Sequence, residues 1–109
     1  MAELTDKYTY RITWSEDDEE FVGLCAEFPS LSWLDKSPEA ALKGIRELVG
    51  DIIVDMSGAG EAVPEPIAAR NFSGRFVVRV PPEVHRQLAI QAAEAGVSLN
   101  RLASAKLSH

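Results

Sequence analysis

The stretch that decides the fold is GRFVVRVPPEV at residues 74–84, where a strand pattern runs directly into the start of a helix. The two faces of the predicted strand alternate strictly: Arg75, Val77 and Arg79 on one, and Phe76, Val78 and Val80 on the other. Such alternation predicts a strand over 75–80. Two prolines follow and end it, because proline lacks the amide hydrogen of a strand but suits the first turn of a helix.

Two short helices are predicted to complete this C-terminal third. The first begins at the prolines and ends at Gly96, which suits the left-handed position after a helix. Ser98 can then cap the second helix, which carries an apolar face. The 36 residues from Gly74 to His109 are too few to bury a stable core alone. We therefore expect two copies to pair their strands antiparallel and to interleave their helices.

A two-stranded ribbon of this kind fits the major groove of DNA. The outward side chains would be Arg75, Val77 and Arg79, while Phe76, Val78 and Val80 would face the helices. Arginine reads guanine through two hydrogen bonds, and Val77 can pack on a thymine methyl group. The start of the second helix, at Ser98, Leu99 and Asn100, would offer amide groups to a phosphate.

The same residues carry a family resemblance. The run at 74–85, followed by GVSLN at 96–100, resembles the ribbon-helix-helix repressors related to Arc and MetJ. The resemblance implies a homodimer formed through the C-terminal strand and helices, with higher oligomers left open. It also implies that positions 75, 77 and 79 contact the bases of operator double-stranded DNA.

Charge divides the chain at the same place. Residues 1–70 hold six Lys or Arg and fifteen Asp or Glu, a net charge of −9, whereas residues 71–109 hold five and two, a net charge of +3. The first part would repel a polyanion, and the second would tolerate one. The division indicates two modules with different partners.

The first module is predicted to be a small antiparallel sheet with one long helix. Ser37 and Pro38 mark the start of that helix, and residues 57–60 mark its end. Residues 15–20 are a polar, acidic turn. The three predicted strands cover residues 8–14, 21–27 and 31–34. The predicted domains are 1–57, a linker at 58–73 that contains two prolines, and 74–109.

This first module resembles the HicB antitoxin family. The resemblance is carried by YRITW at 10–14, GLCAEFPSLS at 23–32 and SPEAAL at 37–42. It implies an α+β fold whose N-terminal domain is a reduced RNase H-like domain, joined to a ribbon-helix-helix tail. It also implies an antitoxin that neutralises a HicA-like, mRNA-cleaving toxin and represses its own operon. We expect Glu27 and Trp33 to contact the toxin.

Two other functions stay open at this stage. The chain could be a stand-alone repressor whose acidic domain senses a ligand or drives oligomerisation. It could also be an RNase H-like nuclease using Asp17, Asp18 and Glu20, although carboxylates on one turn do not converge from separate strands.

No enzyme activity, catalytic residue, cofactor or metal is predicted. Cys25, His85 and His109 lack metal-ligand spacing. The single cysteine suits a reducing compartment, and no apolar run is long enough to span a membrane, so we expect a cytoplasmic protein.

Overall fold

In a computed structural model, which describes residues 2–108, the chain forms an α+β fold with a three-stranded antiparallel sheet and several helices. Its internal contacts divide it into two units, Met1–Phe72 and Ser73–His109. The elements of the first unit are α1 (Leu4–Lys7), β1 (Tyr10–Ser15), β2 (Glu20–Cys25), β3 (Ser32–Asp35), α2 (Pro38–Gly58) and a 3-10 turn (Ile67–Ala69). The second unit contains α3 (Pro82–Ala95) and α4 (Leu99–Leu107).

The sheet has the strand order β1-β2-β3, and its register decides which side chains share a face. Gly23 lies between Ile12 of β1 and Trp33 of β3. Successive side chains of a strand point to opposite faces. The row of Ile12, Gly23 and Trp33 therefore belongs to one face, and the neighbouring rows belong to the other.

Helix α2 covers the face that contains Gly23. Ser37 caps it by accepting a hydrogen bond from the amide of Ala40 at 3.1 Å, and Pro38 follows at the first helical position, as the sequence predicts. The helix lies close to the sheet, because a Cβ added at Gly23 would stand 2.7 Å from the carbonyl oxygen of Ala41. A core forms there from the buried side chains of Tyr8, Cys25, Phe28, Ile45 and Val49.

Helix α2 also leaves room for an indole ring. A Cβ added at Gly44 would overlap the indole of Trp33, whereas one added at Gly50 would have only Thr5 Cγ2 nearby, at 3.8 Å. Trp33 thus packs on the helix backbone at a position that only glycine permits.

We predict opposite effects for alanine at these two glycines. Gly44→Ala should lower the free energy of unfolding by about 1–3 kcal/mol, because Trp33 must leave its position. Gly50→Ala is the matched control and should raise it by up to about 1 kcal/mol through helix propensity alone. Urea unfolding followed by tryptophan fluorescence measures both. Equal stability of the two variants would contradict the packing of Trp33 on Gly44.

The segment after α2 is attached to the first unit rather than free. The hydroxyl of Tyr8 donates a hydrogen bond to the carbonyl oxygen of Pro64 at 2.7 Å, and Pro66 is buried. Val63 packs against the core. We call residues 61–70 the strap. The predicted linker at 58–73 therefore differs from the structure, in which α2 includes Gly58 and the first unit extends to Phe72.

The second unit shows both predicted helices and their boundaries. Gly96 ends α3 in the left-handed conformation, with φ of 69°. The side chain of Ser98 caps α4 by accepting a hydrogen bond from the amide of Arg101 at 3.0 Å.

The strand predicted over 75–80 is not formed in the single chain. Among the described residues, no second strand pairs with this segment, which stays irregular and exposed. A strand is defined by hydrogen bonds to a neighbour, and alternation alone does not supply one.

Candidate nucleic-acid interface

The candidate interface begins with an exposed segment at residues 71–81, which we call the arm. Every residue of the arm is exposed. Gly74 has φ of 84°, a conformation that favours glycine, and the amide of Arg75 donates a hydrogen bond to Ser73 Oγ at 3.1 Å. The arm therefore presents Arg75, Val77 and Arg79 to solvent.

The arm is also strongly apolar. Phe76 is 74% exposed, Val77 is 90% exposed, and Val78 is 61% exposed. Side chains on both faces of the predicted strand are therefore exposed to solvent, including those expected to face the helices. Apolar side chains exposed in a row are unusual on a monomer and are typical of an interface.

The helices of the second unit bury little of their own apolar surface. Of the described residues in this unit, only Ala92 is buried. Leu88 of α3 and Leu102 of α4 are half-buried, while Leu107 is exposed. Units below about 40 residues usually need oligomerisation, a disulfide or a metal to complete their core.

The first turn of α4 carries the other predicted phosphate contacts. The side-chain oxygen of Ser98 accepts a hydrogen bond from the amide of Arg101. The amides of Leu99 and Asn100 lie in the first turn, where no helical carbonyl precedes them. Asn100 is exposed and Leu99 is half-buried. Free amide groups at the start of a helix suit an anion.

The two residues expected to meet a toxin have contacts within the first unit. Trp33 lies on the side of the sheet that faces α2, and its indole nitrogen donates to Asp35 Oδ2 at 3.2 Å. The hydrogen bond that the amide of Lys36 donates to Asp35, and secondarily the one from Trp33, lower the pKa of Asp35. The carboxylate of Glu27 accepts one hydrogen bond from the amide of Thr9 and one from the amide of Ile67, each at 2.9 Å.

Glu27 thereby joins Thr9, the residue before β1, to the strap. Burial by itself raises the pKa of its carboxyl group, but the amide hydrogen bonds from Ile67 and Thr9 outweigh this and hold that pKa below 4.5. A carboxylate whose pKa is lowered on folding stabilises the fold above the pKa of the unfolded chain. This stability is lost as the pH falls through the folded value.

We accordingly predict a pH-dependent role for Glu27. The stability difference between the wild type and Glu27→Gln should be full at pH 6. It should shrink as the pH falls below about 4.5, where Glu27 of the unfolded chain takes up a proton, and should vanish below the lowered pKa of the folded chain. Thermal unfolding from pH 6 to pH 3 measures this difference. The control is Glu61→Gln, an exposed position near the start of the strap, which should follow the wild type at every pH. A Glu27→Gln curve parallel to the wild type would contradict the prediction.

Of the carboxylates considered for nuclease chemistry, Asp17 and Asp18 lie on the β1–β2 turn, and Glu20 is the first residue of β2. Asp18 Oδ2 accepts a hydrogen bond from Ser15 Oγ at 2.8 Å, and Asp17 is exposed. Within residues 2–108, no three His, Cys, Asp or Glu side chains are grouped as metal ligands would be. Cys25 is buried, and this burial raises the pKa of its thiol. His85 is exposed, and His109 lies outside the described residues.

No helix in the described part of the chain combines the length and apolar character needed to cross a membrane.

The fold and the site thus define an α+β chain with an acidic sheet-and-helix unit and a small basic helical unit that carries an apolar arm. Residues 59–107 match the model of the HicB family, and this match supports membership in that family. It covers just under half of the chain and lies on the strap, the arm and helices α3 and α4. The earlier resemblance to this family rested instead on residues 10–42. Neither the curated proteins nor the solved structures gave a match to the chain.

Proposed function

We propose that this chain is the antitoxin of a type II toxin–antitoxin pair. Its first unit would neutralise a HicA-like, mRNA-cleaving toxin. Its second unit would dimerise as a ribbon-helix-helix domain and repress the operon. The HicB family match at residues 59–107 is consistent with a toxin–antitoxin role.

The observation that carries the DNA-binding part of the proposal is the exposed arm, in which the side chains of the two predicted strand faces alternate at residues 75–80. Its six residues at 75–80 have the strand pattern but no partner within the described chain. Pairing with the arm of a second copy would supply the missing hydrogen bonds and bury Phe76 and Val78 against the helices. The same pairing would place two copies of Arg75 and Arg79 on one outer face, where they could read guanine.

The toxin-binding part of the proposal is supported by charge. A protein that grips RNA needs a basic surface, and the −9 unit would attract such a surface. Neutralisation would then be occlusion, with the acidic unit occupying the place of the RNA.

Co-expression tests the proposal directly. We expect the gene beside this one to encode a small basic protein that arrests growth when expressed alone. Co-expression of the full chain should restore growth, and the two proteins should purify as one complex. Growth arrest that persists at equal expression, or the lack of a complex, would refute the antitoxin role and favour a stand-alone repressor.

A further inference from the structure

The face of the sheet opposite α2 is not covered by this helix. Alternation places the rows next to Gly23 on this face, because Gly23 and Trp33 point to the helix. One row joins Thr13, Val22 and Leu34, and the next joins Arg11, Leu24 and Ser32. We call these six residues the open face.

The centre of the open face is apolar and lies outside the core. Val22, Leu24 and Leu34 are not among the side chains that pack against the core cluster. Leu34 is 44% exposed. Among the described residues of the first unit, α2 is the only helix that contacts the strands, and it lies on the opposite side. Contiguous apolar side chains with a polar border are typical of a protein interaction site.

The charges around the open face indicate what kind of partner it suits. Glu20 is the first residue of β2 and lies on this side of the sheet, and Glu16, Asp17, Asp18 and Glu19 precede it in the β1–β2 turn. Arg11 is the only cation of the face itself. A second copy would bring one −9 unit against another, and the two would repel each other. A basic protein would instead be attracted to this surface.

We propose that the open face is where the first unit docks its basic protein partner, with Val22, Leu24 and Leu34 as the apolar centre and the acidic turn as the charged border. This inference rests on the proposed antitoxin function and locates the toxin contact on the side of the sheet away from Trp33. The partner would present an apolar patch bordered by Lys or Arg.

Two leucines on different sides of the first unit provide a matched test. Leu34→Lys introduces a cation at the centre of the open face. Leu42→Lys makes the same change on α2, where Leu42 is 38% exposed. The full-length variants are titrated with the small basic protein encoded by the adjacent gene. We expect Leu34→Lys to raise Kd at least about tenfold, as loss of an interface centre does, and Leu42→Lys to leave it unchanged.

A charge reversal on the same face gives an independent test of the proposed location, and this test can be used even if Leu34→Lys fails to fold. Arg11→Glu should lower Kd for the basic protein about threefold at low salt, because it removes the one like charge. An unchanged or higher Kd for Arg11→Glu would overturn the proposal. An unchanged Kd for Leu34→Lys, or an equal loss in both lysine variants, would also overturn it.

The remaining outcomes separate this inference from the function on which it rests. If the wild type does not bind the adjacent protein at all, the antitoxin proposal fails and the inference fails with it. If the wild type binds the adjacent protein and the open-face variants bind it with the same Kd, the antitoxin function stands and the proposed location of the contact is wrong. A fall in the mass of the unliganded protein on Leu34→Lys, measured by light scattering, would assign the face to a second copy and overturn the proposal.

Discussion

Replacing Arg75 and Arg79 together by alanine is expected to abolish specific operator binding while leaving the dimer intact. In a paired ribbon, each arginine occurs twice, so even a single variant removes two base contacts. A good arginine–guanine pair contributes about 1–3 kcal/mol of discrimination, which makes the loss about 2–6 kcal/mol for each single variant. Because about 1.4 kcal/mol corresponds to a tenfold change, the affinity should fall by at least about thirtyfold.

A footprint on the chain's own promoter, at fixed salt, measures this effect. The control is Lys43→Ala, which removes one positive charge at an exposed position of α2 in the first unit. We expect the control to protect the operator like the wild type. Full protection by Arg75→Ala or Arg79→Ala would show that the outer face of the ribbon has been assigned wrongly.

Replacing Phe76 by alanine is expected to remove dimerisation and DNA binding together. In the single chain the ring is 74% exposed, so the substitution has no packing to disturb there. In the proposed dimer the ring becomes core, and loss of a core phenylalanine costs about 3–5 kcal/mol. The cost arises in both copies, and the second unit has only Ala92 buried within its own described residues.

Phe72 offers a matched control for this variant. It is 72% exposed, and it lies in the arm but outside the alternating residues 75–80. Light scattering across a concentration series should show Phe72→Ala dimerising like the wild type and Phe76→Ala shifted to monomer. If Phe76→Ala dimerised as tightly as the wild type, the ribbon would not be the dimer interface.

Local signals in the sequence predict the helices well. The caps at Ser37 and Ser98 and the glycine at Gly96 act within one turn of the chain, so their geometry does not depend on distant residues. The three strands of the sheet are predicted within a few residues for the same reason, since their alternation and the turns between them are local.

What the sequence could not predict depends on distant contacts. The alternating pattern predicts that Tyr8 begins the first strand, but in the structure Tyr8 lies before β1, is buried, and donates a hydrogen bond to Pro64 in the strap. The sequence predicts Glu27 on a strand as a partner contact, and nothing near it in the sequence indicates its hydrogen bond from the amide of Ile67. The short helix α1 has no apolar periodicity that would signal it. Residues 75–80 show the opposite case, because they have the alternating pattern of a strand but no strand to pair with within the described chain.

The central claim is that one chain neutralises a toxin through its first unit and reads DNA through its arm. The most direct test is a single strain that carries the adjacent toxin gene and a reporter driven by the operon promoter, with growth and reporter output measured together. The wild type should restore growth and silence the reporter, and the Arg75→Ala/Arg79→Ala variant should restore growth while leaving the reporter active. Failure of the wild type to restore growth, or silencing by the double variant, would contradict this account.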